Sequence, residues 1–270
     1  MKKSLILTML ILFLMMFSHY GCMSPSGTTV TVIENFNAIW VLQGVWWNDV
    51  LQEIHQEYPR DKVVIMQYYV DSRDDLPYPR LACRESENRM KWYMQDKGLC
   101  TAFFNGEDYI KGIPSRGDIN DDKRTVLKKA LLEKIQQHNA IVPPVQIWAT
   151  CAKQGNENEY LISLSVKACE NISFNAMELK IALIEMDVPY EAINGLKNHY
   201  LVFREFIKPA EITETTGIPL SLHKTGDLFQ TEFAYKLNSD LYKNDLSIIL
   251  FVQDMETKSI LQGLEIEFNK

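Results

Sequence analysis

The 270-residue chain contains no Cys-x-x-Cys pair, no His-Glu-x-x-His, no P-loop and no Gly-x-Ser-x-Gly elbow. Those absences remove the usual signatures of dithiol exchange, zinc proteolysis, nucleotide binding and serine hydrolysis. No spacing of Cys, His or carboxylates suits zinc or calcium, so neither a metal nor a cofactor is predicted. Twelve Gly and ten Pro are too few for a collagen-like or low-complexity chain. There is no basic tract, and 35 acids outnumber 28 bases. Such a chain repels a phosphate backbone, which argues against a nucleic-acid partner. What is present is 46% hydrophobic and 23% charged sequence, enough to bury a core.

No apolar run reaches the roughly 20 residues of a spanning helix. The longest, Leu5 to Phe17, follows Lys2 and Lys3 and has the length of a signal-peptide apolar region. It ends in Ser18-His19-Tyr20-Gly21-Cys22, which resembles the bacterial lipoprotein box in Gly21 and Cys22 and departs from it at His19 and Tyr20. Residues 1–22 therefore read as a signal peptide with a possible lipobox, and Cys22 as a lipidation site. Cleavage near Ser24 or Ser26, or an uncleaved anchor, are the alternatives. The expected location is the bacterial cell envelope, on the periplasmic side, anchored to a membrane through Cys22. Met23 to Thr29 reads as a tether.

With Cys22 lipidated, Cys83, Cys100, Cys151 and Cys169 remain, and four cysteines allow three pairings. The five His residues are scattered and read mostly as surface positions.

Residues 28–138 alternate strand and helix signals. Thr29 to Phe36 is β-branched. Trp46 to Tyr58 has helical apolar spacing, and Val63 to Met66 is a wholly apolar strand, the pattern of burial on both faces. Asp71 to Pro79 is a polar loop, and Glu85 to Asp96 a helix. Thr101 to Phe104 precedes the hairpin turn Asn105-Gly106, Tyr109-Ile110 returns, and Asp122 to Gln137 is a last helix.

This order, with Val32-Ile33-Glu34-Asn35-Phe36-Asn37-Ala38-Ile39-Trp40 and Gly98-Leu99-Cys100-Thr101-Ala102-Phe103-Phe104-Asn105-Gly106, resembles the thioredoxin family. The resemblance implies an α/β thioredoxin-like domain with its active site after Trp40. Val41 and Gly44 stand at the two thiol positions, so no catalytic residue is assigned there. Asn35 replaces the family's proton-handling carboxylate, and adjacent Glu34 points to the other strand face. Cys100 stands where the family has its cis-proline. Exchange chemistry needs an attacking thiolate and a resolving thiol. Cys83 and Cys100 are the candidate thiols, paired or free. Trp40, Gln43 and Cys100 are the binding-loop candidates, although Trp40, Trp46 and Trp47 read first as core or rim packing.

Pro143 and Pro144 end residues 139–144, a linker. In residues 145–270 the apolar period becomes two, in about seven short strands, the pattern of an all-β immunoglobulin-like sandwich. A hairpin turning near Asn156 would set Cys151 opposite Ile162, away from Cys169. His199-Tyr200-Leu201-Val202-Phe203-Arg204-Glu205-Phe206 and the stretch Phe251 to Gln262 resemble the C-terminal domain of Omp28-related envelope proteins. Within the second stretch, Gln253-Asp254 suits either a self-bonded turn or a binding role.

Three functional readings follow. The first is a redox-silent binding or scaffold module of the envelope, whose partner is an envelope protein or peptide. The second is an atypical thiol oxidoreductase or thiol-dependent chaperone using Cys100, with or without Cys83. The third, a hydrolase or metalloenzyme, would draw on Glu34, Asp71, Asp74 and Asp75, but Asp71 to Asp75 reads as a solvated loop.

Overall fold

A computed structural model describes residues 22–23, 27–70, 81–93, 98–113, 122–155, 158–238, 240–241 and 245–268. The signal-peptide reading of residues 1–21 and the carboxylates of the 71–80 loop lie outside them. In chain order the elements are β1 (Cys22–Met23), β2 (Thr31–Asn37), α1 (Gly44–Glu57), β3 (Val63–Tyr69), α2 (Arg84–Tyr93), β4 (Thr101–Phe104), β5 (Asp108–Lys111) and α3 (Lys123–Asn139). The C-terminal half supplies β6 (Val145–Gln154), β7 (Glu159–Ala168), β8 (Met177–Pro189), β9 (Asn198–Phe206), β10 (Ile218–Leu220), β11 (Leu228–Lys236), β12 (Leu246–Asp254) and β13 (Ile260–Glu267).

Local chemistry accounts for most of these elements. Trp47, Val50, Leu51 and Ile54 bury one face of α1 at helical spacing. The α3 helix starts at Asp122, whose carboxylate accepts the Arg124 N–H, and buries Leu127, Leu131, Ile135 and His138. The β3 strand is buried along its whole length. In the β6–β7 hairpin Cys151 faces Ile162, as the turn spacing requires.

The expected separation into an α/β thioredoxin-like domain and an independent immunoglobulin-like sandwich is corrected. Strands predominate, with three helices among the described residues, and the strands of both halves join one mixed nine-stranded sheet. Its order is β13-β12-β8-β9-β3-β2-β4-β5, with β10 beside β8. The halves meet where β3 and β9 run parallel at Gln67 and Val202. A four-stranded sheet, β1-β6-β7-β11, forms a second layer.

The reason lies in β8 and β12, which carry apolar residues on both faces. Leu179, Ile181, Leu183, Ile248, Leu250 and Val252 enter the core shared with β6 and β7. The alternate residues Ala182, Ile184, Ile249 and Phe251 enter the core shared with β2, β3 and the helices. A self-contained sandwich would leave that second face wet, at about 25 cal/mol for each Å² of apolar surface.

Two hairpin turns close the junction. Ile260 N–H donates to the Asn105 carbonyl at 2.8 Å. Asn105 Oδ1 in turn accepts from Val32 N–H at 2.7 Å. Gly106, with φ +74°, lies so close that a Cβ there would overlap the Lys258 carbonyl oxygen. The two resemblance-bearing stretches, Gly98 to Gly106 and Phe251 to Gln262, thus touch each other.

Candidate functional site

The loop leaving β2 brings Trp40, Val41, Gln43 and Gly44 to the start of α1. Asn37 organises it. Its Oδ1 accepts from Ala38 N–H at 2.8 Å, its Nδ2 donates to the Gly44 carbonyl at 3.4 Å, and Cys100 Sγ approaches Oδ1 at 3.7 Å. A Cβ on Gly44 would lie 2.5 Å from Asn37 Oδ1. Position 44 is therefore committed to packing against an amide and has no room for a thiol. The Val41 carbonyl accepts from Asn194 Nδ2 at 3.1 Å, so the β8–β9 turn covers this loop. Trp40 is half-buried, and its ring N–H is sealed without a partner. Gln43 and Leu42 are exposed.

Cys100 is fully buried, with φ 57°, a left-handed conformation that costs a non-glycine residue on the order of 1 kcal/mol. Both sides of its backbone are tied: the N–H donates to Phe36 O at 2.8 Å, and its carbonyl accepts from Gly112 N–H at 2.7 Å. Burial pushes its thiol up to about 12, away from the thiolate. Cys83, just ahead of α2, accepts from Ser86 N–H at 3.4 Å. Burial raises its thiol as well, against the opposing Ser86 hydrogen bonds. All four described thiols outside β1 are free, so Cys83 and Cys100 are not joined. Cys22 pairs by its backbone with Ala149.

Sequence reasoning missed the polar network beneath this loop. Asn35 Nδ2 donates to Gln67 Oε1 at 3.0 Å, and Gln67 Nε2 donates to Asn48 Oδ1 at 3.2 Å and to the Tyr200 carbonyl at 2.8 Å. Asn48 Nδ2 reaches the Asn198 carbonyl at 3.2 Å, tying α1 to β9. Asn35, at the resemblance's proton-handling position, thus braces Gln67, which with Asn48 ties the two halves together. His199 and His138, read as surface residues, are both buried. Asn48 and Gln67 were detectable as polar residues interrupting apolar runs.

A second missed cluster lies on the other face of β2, where alternation sends Glu34. Arg89 of α2 makes a two-pronged pair with it, Nε to Oε1 at 2.8 Å and NH2 to Oε2 at 2.9 Å. Tyr93 OH donates to Glu34 Oε2 at 2.7 Å. Gln253 accepts from Arg89 NH2 at 2.7 Å and donates to Tyr93 OH and to the Lys258 carbonyl. Gln253 therefore serves both its own turn and the junction, while Asp254 accepts from Thr257 within the turn. The guanidinium is also flanked by Trp92, Tyr93, Phe206 and Phe251. Burial is the largest single influence and opposes its charge, but Glu34, Tyr93 and Tyr68 together outweigh it and hold the guanidinium protonated. Removing one partner of such a pair costs about 3–5 kcal/mol.

Lys180 on β8 is fully buried and donates to Glu178 and Thr216. Burial, aided by the Arg89 charge, pushes it down to about 8, against the pull of Glu178. Between α2 and the C-terminal half lies a cavity of about 210 Å³ lined by Glu85, Asn88, Arg89, Trp92, Phe206, Thr216 and Met255. No group of His, Cys, Asp or Glu among the described residues is placed to hold a metal ion.

No protein-family model and no curated sequence matches the chain. Among solved structures, HBP35 of Porphyromonas gingivalis superposes with TM-score 0.66 at 15% identity, covering 92% of this chain and 77% of that one. The two therefore share a fold across both halves. A domain of the outer membrane lipoprotein Omp28 from Porphyromonas gingivalis matches at TM-score 0.32 and 15% identity, over 48% of this chain and 91% of its own. A superposition that loose says nothing further about this chain's architecture.

Proposed function

We propose that this chain is an exported, redox-silent binding or scaffold module of the bacterial cell envelope, tethered to a membrane through lipidated Cys22. The observation that carries the redox-silent reading is the sealed Cys100 thiol, fully buried and pushed up to about 12. Val41 and Gly44 offer no partner for it, and Asn37 fills the space a side chain at 44 would need. Dithiol exchange requires an accessible thiolate and a resolving thiol, and these residues supply neither. Export and anchoring rest on Lys2, Lys3, the Leu5 to Phe17 run and Gly21-Cys22. Among the described residues no helix is long and apolar enough to cross a membrane.

The test is a dithiothreitol-driven insulin-reduction assay on the purified mature chain. The expected rate is that of dithiothreitol alone, and Val41→Cys/Gly44→Cys should not raise it, because the new Cβ at 44 meets Asn37. Turnover comparable with a Cys-x-x-Cys enzyme would favour the thiol-exchange reading instead. Mass spectrometry of the mature N-terminus tests the anchor. A diacylated Cys22 supports it, and a terminus beginning after Cys22 removes it.

A further inference from the structure

The junction cavity holds polar groups that the fold leaves unused. Glu85, Asn88, Arg89 and Trp92 recur at helical spacing and line one wall from α2, while Phe206, Thr216 and Met255 form the facing wall from the C-terminal half. Every hydrogen bond of the Arg89 guanidinium is made by Nε or NH2. Among the described residues NH1 has no protein partner, and it is not sealed from solvent, although the residue is only 5% exposed. The cavity is therefore where NH1 meets solvent. A ligand that displaces water from this charged donor must accept its hydrogen bond, so the position selects an acceptor. Glu85 Oε2 accepts from Phe206 N–H at 2.7 Å, while Oε1 has no partner among the described residues. The Asn88 side chain makes no hydrogen bond among them and is exposed.

Charge narrows the choice of occupant. Glu34 already balances Arg89, and Glu178 balances Lys180 behind Thr216. Glu85 then stands in the wall with Lys208, held on the Thr215 carbonyl, acting on it, so the charges around the cavity pair off and an anion meets no surplus cation. A cation would face the open NH1 group. Trp92, Phe206 and Met255 supply an apolar surround. We propose that this cavity binds an uncharged peptide amide bearing one apolar side chain. The amide carbonyl accepts from Arg89 NH1, its N–H donates to Glu85, and the side chain packs against Trp92, Phe206 and Met255. The cavity is smaller than the roughly 300–1,000 Å³ of drug-sized sites, which limits it to one residue of a partner. This deepens the binding-module reading and rests on it.

The experiment uses the mature chain with ¹³C-methyl methionine. The Met255 signal is assigned through Met255→Leu, a change at a partly exposed turn. N-acetyl-L-methioninamide, sodium acetate and glucose are titrated separately. The expected result is a saturable Met255 shift with the amide alone, at a Kd on the order of 1–10 mM for so small a ligand. Met255→Trp, which fills the cavity and removes the reporter, is read by saturation-transfer difference NMR on the amide itself and should abolish binding, and Asn88→Ala should leave the Met255 shift in place. Acetate or glucose binding as tightly as the amide would overturn the proposal, as would no saturation by the amide or binding unchanged in Met255→Trp. Insulin reduction measured on the same preparation separates the failures. A non-binding, redox-inactive protein sinks the cavity assignment alone, whereas an active one sinks the redox-silent reading.

Discussion

His199 illustrates what a single buried ring does here. Its Nε2–H donates to the Tyr190 carbonyl at 3.1 Å, leaving Nδ1 to accept from Tyr69 OH at 3.0 Å. This arrangement uses both nitrogens of a neutral imidazole and has no place for a second proton. Burial pushes the ring down to about 4, against the 6.5 of an unfolded His. The unfolded chain therefore takes up the proton first as pH falls. Stability from this residue is complete above about pH 6.5 and is lost progressively toward pH 4, by on the order of 2–3 kcal/mol. His138, also pushed down by burial, acts in the same direction. Urea midpoints measured between pH 7 and pH 4 should fall in the wild type. They should fall less steeply in His199→Gln, and identical slopes would remove His199 from the account.

At the scale of elements, the contact between the β4–β5 and β12–β13 turns depends on one glycine. Gly106 combines a left-handed φ of +74° with no room for a Cβ beside the Lys258 carbonyl. Gly226 has φ +91° and open space around it. Comparing alanine at the two positions separates backbone strain from steric exclusion. Gly226→Ala should cost about 1 kcal/mol, the conformational part alone. Gly106→Ala should cost about 2–4 kcal/mol, because the two hairpins must part. It should also speed hydrogen exchange at Ile260, whose N–H is bound to Asn105 across the contact. Equal costs at the two sites would show that the turns are not latched.

For the whole molecule, the shared sheet and shared core predict that neither half stands alone. Ile141 and Val142, between α3 and β6, are 50% and 69% exposed and offer a cleavage site. Limited elastase digestion there should yield two fragments that co-elute and unfold in one cooperative transition. Fragments that separate and stay folded would restore two independent domains. The expected outcome follows from Phe206, Phe251 and Ile260 of one half packing with Phe36, Tyr68 and Tyr93 of the other. The hydrogen bonds from Asn48 to the Asn198 carbonyl, Gln67 to the Tyr200 carbonyl and Arg89 to Gln253 cross the same boundary.

The amino-acid sequence by itself determined the elements, because period and turn chemistry are local. Helical spacing marked α1 and α3, and alternation marked β6, β7 and β11. Asn105-Gly106 marked its hairpin, and the spacing around Asn156 set Cys151 against Ile162. The missing thiols at Val41 and Gly44 were equally plain. Tertiary structure alone decided which strands lie side by side. Strand partners are non-local, and an apolar run such as Ser247 to Val252 says only that both faces are covered, without saying by what. It also decided the fate of polar residues. Alternation separated Glu34 from Asn35, but only the docking of α2 and the pairing with β3 gave the first a buried arginine and the second a glutamine partner. The cavity at Arg89 exists because two halves with incomplete cores close on each other, a consequence of packing that no single stretch of sequence contains.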